Sequence, residues 1–310
     1  MIEIKGVIRL SKRRKQHSND TLEFTVKEET TLLPFLLNAM PHRGRNSVKS
    51  ILRRGQVSVD QINETKYNYE LEVGQKVSIL KNKAARKQGA LVGLSILYED
   101  DDIIVVHKEA GLLTIANKRE KERTAHYQLM QYVRKEHPRN RVFIVHRLDQ
   151  ATSGVMVFAK NEYAKNTLQK NWQKQVQHRG YVALVEGKFT KEAGSITSWL
   201  NETKTHRMYS SFTEGDGQFA KTKYKLIQAN ESFSLVDVEL ITGKKNQIRV
   251  HMNDLGHPVV GDKKYGAKTN PINRLGLHAK HLSFIHPTTG KLISFTSPVP
   301  RVFWQKSAQN

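Results

Sequence analysis

The sequence predicts an α+β protein whose main domain is built on a mostly antiparallel mixed sheet, preceded by a small α/β module. Three observations carry this. Residues 155–160, 180–187, 220–229 and 233–243 (VMVFAK, GYVALVEG, AKTKYKLIQA and FSLVDVELITG) are runs of β-type residues between turn formers. Residues 161–176 instead place Ala164, Leu168, Trp172 and Val176 four apart, the spacing of a helix with one buried stripe. Between residues 31 and 80, two helical periods are followed by two alternating strands. The glycine-rich dinucleotide fingerprint and the P-loop are both absent, so a Rossmann unit and a nucleotide cofactor gain no support.

With 310 residues, the chain has room for more than one domain. Fifty-one Lys and Arg against 29 Asp and Glu give a formal charge of +22, a field that attracts a polyanion. Anionic membrane is the competing partner, but the chain holds no run of about 20 apolar residues. Its first residues, MIEIKGVIRL, lack a signal-peptide layout. Cysteine is absent, which excludes disulfides, thiol chemistry and thiolate zinc sites. The expectation is a cytoplasmic protein that meets nucleic acid, with no membrane partner.

Taken in order, residues 1–20 form a basic arm (SKRRKQHSND) behind a possible edge strand, IEIKGVIRL. Residues 21–80 form the compact module. In TLLPFLLNAM, Leu32, Leu33, Leu36, Leu37 and Met40 recur with a helical period, Thr31 can cap the start, and Pro34 falls in the tolerant first turn. A second helix over 46–54 turns Val48, Ile51 and Leu52 inward. Arg45, Lys49 and Arg53, spaced four apart, share its opposite side as a basic stripe suited to RNA phosphates or simply to water. QVSVD and QKVSIL then alternate as strands after the turns at Gly55 and Gly74. Residues 81–93 read as a linker and 94–310 as the larger domain. That domain opens on a hairpin around Asp100–Asp102, where adjacent carboxylates on a tight turn point apart and make no metal site.

Two stretches carry candidate chemistry. In IVHRLDQATSG, residues 144–154, Asp149 follows the apolar run VFIV. A carboxylate at a core edge must be paired or hydrogen-bonded. On the residues alone it is either a loop cap aided by Thr152 and Ser153, or a nucleophile or acid–base group. In residues 240–266 a strand ends at Thr242-Gly243 and a helix runs through Asn246–Leu255. Arg249, emerging there, can pair with Asp149 and keep it ionised. Lys244 and Lys245 suit phosphate contact, and Asp262 orders the turn into Tyr265-Gly266. His278, His281 and His286 have no acidic ligand near in sequence and are read as structural or RNA-facing, not as a zinc site. Tyr181 follows His178-Arg179 and can stack on a base.

These motifs resemble those of the RluA/RluD-type pseudouridine synthases. IVHRLDQATSG matches HRLDxxTSG at every fixed position, HRGYVALVEG resembles the tyrosine motif, and NQIRVHMNDLGHPVVGDKKYG and LGLHAKHLSFIHPTTG resemble the two that follow. The resemblance spans residues 94–305, and residues 31–80 resemble the S4 RNA-binding module often fused in front. It implies a pseudouridine synthase fold with an S4-like domain at 21–80. It also implies isomerisation of uridines within structured RNA, most simply 23S-type large-subunit ribosomal RNA, without cofactor. No metal site is expected, and because RNA binding accounts for the exposed positive charge, the expected state is a monomer. Transfer RNA is the alternative target, and a non-catalytic RNA-binding or ribosome-assembly protein the alternative function. By resemblance, Asp149 is the essential carboxylate, acting on the sugar as nucleophile or base. Arg249 pairs with it, and Tyr181 stacks on the base and assists proton removal at C5. Arg147, Ile248 and Leu277 line the substrate pocket, while His146, Lys244, Lys245 and Asn246 join Arg45, Lys49 and Arg53 as RNA contacts. Two departures stand out: Lys108-Glu109-Ala110-Gly111 replaces KPxG, and TGKKNQIR replaces TGRxHQIR.

Overall fold

The structure, a computed structural model, describes residues 21–53, 55–60, 62–80, 91–117, 120–170 and 172–309. The edge strand and basic arm expected within residues 1–20 lie outside the described residues, as does most of the expected linker. The chain divides into two compact units between Gln88 and Gly89.

In the first unit, strand β1 (Thr21–Thr25) leads to β2 (Thr30–Thr31) and helix α1 (Leu32–Ala39). Helix α2 (Arg45–Arg53) follows, then β3 (Val57–Val59), β4 (Ile62–Asn63), β5 (Glu70–Leu71) and β6 (Lys76–Leu80). The sheet runs β1-β6-β3-β4, with β2 and β5 as a separate pair. Leu32, Leu33 and Leu36 of α1 and Val48, Ile51 and Leu52 of α2 close over Val57, Val59, Val77 and Ile79 in one core. Thr31 stands at the helix start, yet its side chain makes no capping bond. The N–H groups of Leu32 and Leu33 donate instead to the carbonyls of Tyr69 and Tyr67. Those two donors are thus already satisfied by a neighbouring segment.

The second unit is organised by one sheet. Its strands are β7 (Leu94–Glu99), β8 (Ile103–Lys108), β9 (Phe143–Ile144), β10 (Ser153–Ala159), β11 (Val176–Glu186), β12 (Ala193–Glu202), β13 (Met208–Ser211), β14 (Gln218–Ala229), β15 (Phe233–Leu240), β16 (Leu277–Ile285) and β17 (Leu292–Thr296). The order is β13-β12-β14-β15-β11-β16-β10-β8-β7, with β17 on β16 and β9 on β10. Among the described residues every pairing in this sheet is antiparallel except β10 with β16. This is the α+β architecture that the sequence implies.

Helix α3 (Ala125–Val133) packs on one face with Ile104, Val106, Met156 and Phe158. Helix α6 (Gln247–Asp254) packs Ile248 and Met252 on Ala183, Val185, Val236 and Val238. Alternation along β8, β10 and β11 sends the neighbouring residues to the opposite face. There Val105, Val155 and Val157 meet α4 (Glu162–Lys170) and α5 (Trp172–Gln175), and Val182 and Leu184 meet α7 (Arg301–Ser307). The stripe Ala164, Leu168, Trp172 and Val176 enters one core as expected, but Val176 already belongs to β11. VFIV does not form a full buried strand. Only Phe143 and Ile144 pair with β10, and both remain half exposed. The following residues, 145–152, cross to the head of β10 as loop.

Candidate active site

The loop carrying Asp149 is anchored at both ends. At its start, His146 Nε2 accepts from the Val157 N–H at 3.1 Å, and the ring lies against Trp172, centroids 4.6 Å apart. Burial, with Arg179 nearby, pushes this imidazole down to about 3. His146 thus holds the start of the loop as a neutral ring at physiological pH. At the loop's end, Ser153 and Gly154 pair in parallel with His278 and Ala279. Gly154 has φ 124°, and a Cβ there would overlap the Ala279 carbonyl, so only glycine fits. The buried Lys108 donates from Nζ to the carbonyls of Glu109, Leu112 and Gln150 at 3.0, 2.8 and 3.2 Å, tying β8 to the loop.

Asp149 is neither buried nor capped by its own loop. Its side chain keeps 32% exposure, and Oδ2 accepts from Arg249 Nη1 at 3.1 Å and from Asn246 Nδ2 at 2.6 Å. The sequence-based pairing of Asp149 with Arg249 is thus present. Arg249 is itself clamped, donating from Nε and Nη2 to the two oxygens of Asp262 at 2.6 and 2.8 Å. Asp262 is 1% exposed, against 14% for Arg249. Burial lowers the guanidinium's proton affinity, but the carboxylates of Asp262 and Asp149 outweigh it and hold the pKa above its ordinary value. Asp262 also orders the turn read from sequence, since its carbonyl accepts from Tyr265 and Ala267. Its grip on Arg249 was missed, although the residue falls in the same motif.

The Arg249 guanidinium lies over the Tyr265 ring, 4.9 Å from its centroid. Gln247 fixes the approach to α6. Its Oε1 accepts from Thr242 Oγ1 and Lys244 N–H, and its Nε2 donates to Lys221 O and Thr222 Oγ1. Arg179 donates to the carbonyls of Leu240 and Ile241 and packs so closely on Gly243 that any side chain there would collide with it.

Tyr181 stands at the seam between two halves of the core, packed against both the α3 cluster and the cluster that holds Ile248 and Leu277. Burial, reinforced by the Asp149 charge and opposed by Arg179, pushes its phenol up to about 12. Ile248 and Leu277 are buried in that cluster, while Arg147, two residues before Asp149, is exposed. Arg147 makes no ion pair or hydrogen bond among the described residues. Lys245 pairs with Glu202 at 2.6 Å on the surface, and the Lys244 side chain is half-buried. In the first unit, Arg45 is exposed and the Lys49 ammonium lies 5.2 Å from the Tyr67 ring centroid. The Arg53 side chain lies outside the described residues.

The histidines assigned no metal form strand and turn contacts. His278 bonds Ser153, His281 bonds His178, and His286 Nε2 reaches Asp100 Oδ2 at 2.9 Å. Ligand atoms of Asp100, Asp102 and His286 lie within 4.8 Å of one another. Asp100 is already saturated by Tyr98, His286 and the N–H groups of Asp102 and Ile103, so the group reads as a structural pin. No helix among the described residues is long and apolar enough to cross a membrane.

Comparison with known proteins gives the chain a family. Residues 102–254 match the family model described as RNA pseudouridylate synthase. The chain is 37% identical over 209 residues to the protein of Bacillus subtilis described as Uncharacterized RNA pseudouridine synthase YhcT, covering 67% of this chain and 69% of that protein. It is 29% identical over 301 residues to Ribosomal large subunit pseudouridine synthase D of Nitrosomonas europaea, covering 92% and 86%. Among solved structures, human RNA Pseudouridylate Synthase Domain Containing 1 superposes with a TM-score of 0.54 at 27% identity, over 67% of this chain and 84% of that one. The human Domain Containing 4 protein gives 0.56 at 23%, over 68% and 90%, a likeness of fold. The chain therefore belongs to the RNA pseudouridine synthase family and is an isomerase that acts on uridine in RNA.

Proposed function

We propose that Asp149, Arg249 and Tyr181 carry this isomerisation, and that the target is a uridine in structured, 23S-type large-subunit ribosomal RNA. The observation that bears most weight is the relay Asp262–Arg249–Asp149, which fixes the orientation of the Asp149 carboxylate through a clamped guanidinium. The reaction breaks the bond between uracil N1 and the ribose, turns the base, and joins C5 to the same sugar carbon. Asp149 acts on the sugar, as nucleophile at the anomeric carbon or as base for a ribose proton, and Arg249 orients it for that step. Extruding one nucleotide from its stack costs a few kcal/mol, repaid by stacking and phosphate contacts. Ile248, Leu277 and the Tyr181 ring supply the apolar walls, and keep the detached base from escaping.

With its phenol pushed up to about 12, Tyr181 meets the base as a neutral group. Its hydroxyl takes the C5 proton only by passing its own proton onward, and the carboxylate of Asp149 is the neighbouring acceptor. Arg147, exposed and two residues before Asp149, and Lys244 suit the flanking phosphates. Residues 21–80 act as an S4-like RNA-binding domain, and the enzyme works as a cytoplasmic monomer. The name of the Nitrosomonas relative supports the ribosomal target.

Site-resolved pseudouridine mapping of total RNA from cells with and without the gene tests both parts. Loss of a large-subunit site, restored by the wild-type chain and not by Asp149→Asn, is the expected result. Loss confined to transfer RNA overturns the target, and full restoration by Asp149→Asn overturns the catalytic assignment.

A further inference from the structure

The carboxamide of Asn246 is the polar group nearest the reacting carboxylate that the scheme above leaves unused. Asn246 stands immediately before α6 with φ 54° and ψ 20°, a left-handed conformation that asparagine tolerates better than most residues bearing a Cβ. From there Nδ2 donates to Asp149 Oδ2 at 2.6 Å, while the Tyr265 hydroxyl donates to Oδ1 at 3.0 Å. The backbone N–H of Met208 donates to that hydroxyl at 3.1 Å, so the phenol's own proton is free to point at Asn246. This sets the amide's orientation: its oxygen meets Tyr265, and its NH2 meets Asp149. Tyr265 is 2% exposed and also lies under Arg249. One buried ring therefore supports both donors to Asp149.

We propose that Asn246 is a positioning residue for the catalytic carboxylate, and that it determines which carboxylate oxygen reacts. Both donors converge on Oδ2. Among the described residues Oδ1 accepts no hydrogen bond, and it is the oxygen left to meet the ribose. The inference rests on reading Asp149 as the catalytic group, and it moves Asn246 from the RNA contacts into the support of the site. A carboxamide donates at every pH, whereas an imidazole in this place donates according to its tautomer and charge. The ionisable groups around the carboxamide are Asp149 on its loop, Arg249 on α6, Asp262, Lys264 and Tyr265 on the following turn, and Lys245 next in sequence.

The test is steady-state isomerisation of total RNA from cells lacking the gene. Asn246→Gly keeps the left-handed backbone and removes only the carboxamide. It is expected to lower kcat about 10- to 100-fold, the weight of one hydrogen bond to a charged group. KM should stay within about twofold, and the acidic limb of the kcat profile should move to higher pH. Asn246→Asp keeps the size and the Tyr265 bond but sets a second carboxylate against Asp149, and should lower kcat at least as far. Asn246→His, which restores a donor, should recover part of kcat and make it more steeply pH-dependent. Wild-type kcat with a raised KM in the Gly variant would show an RNA contact and overturn the proposal, as would wild-type kcat in the Asp variant. Should the Gly variant unfold at lower temperature, rescue of kcat by His supports positioning, and its absence overturns it. Asp149→Asn, assayed alongside, separates the two readings. Activity there removes the premise itself, whereas an inactive Asp149→Asn beside a full-rate Asn246→Gly removes this inference alone.

Discussion

A guanidinium lacking acceptors is poorly tolerated inside a protein, and Asp262 is what lets Arg249 stand where it does. Asp262→Asn keeps the shape and loses the charge. It should lower kcat by about 10-fold or more through Arg249, and destabilise the fold by about 1–3 kcal/mol, read as a shift in urea midpoint. At Tyr181, stacking and hydroxyl separate cleanly. Tyr181→Phe should lower kcat with KM nearly unchanged, while Tyr181→Ala should raise KM as well, because stacking is worth about 1–3 kcal/mol per base. Because burial pushes the phenol up to about 12, the wild-type kcat profile should show no Tyr181-dependent change between about pH 8 and pH 10. The Asp149–Arg249 pairing was legible because the motifs that hold the two residues are short and read nearly complete. Asp262 was legible only as a turn former, since its partner Arg249 sits 13 residues earlier and nothing in the spacing sets their side chains face to face. Gln247 went unread because three of its partners, Thr242, Lys221 and Thr222, lie at strand ends that only the folded sheet brings together.

At the scale of elements, the join between β10 and β16 is the least forgiving part of the sheet. Gly154→Ala must push a methyl into the Ala279 carbonyl at a positive φ. It should cost about 3 kcal/mol or more, seen as a lowered urea midpoint and reduced soluble yield. Lys108 adds a pH dependence. Burial, and then Arg274, pull its pKa down to about 7 from an ordinary 10.5. Between those two values the unfolded chain binds more protons, so the Lys108 contribution to stability rises as pH rises through that window and is lost towards acid. Lys108→Met should flatten the slope of urea midpoint against pH relative to wild type. The long strands β10, β11, β14 and β15 were legible from their β-type runs. β12, β13 and β17 were not, because edge and outer strands carry too few apolar residues to mark themselves. VFIV forms only a two-residue strand, because Phe143 and Ile144 pair with β10 while Val142 and Val145 are buried on either side of that pairing.

For the whole molecule, the excess charge of +22 sets how RNA is approached rather than what is done to it. Raising salt should increase KM steeply and leave kcat nearly constant. Replacing Arg45 and Lys49 together by alanine should reduce the salt slope of RNA binding by about two, if each grips one phosphate. The two-unit organisation was legible in the loss of core pattern near residue 81, and the division falls between Gln88 and Gly89. The contact at Gly154 also has a mechanical meaning. Asp149 lies five residues before Gly154, and Leu277 lies two before Ala279. The Asp149 carboxylate and the Leu277 side chain are thus measured from a common origin. When the sheet twists or breathes, both are carried by the same displacement, so the spacing between them is shielded from the motion around it.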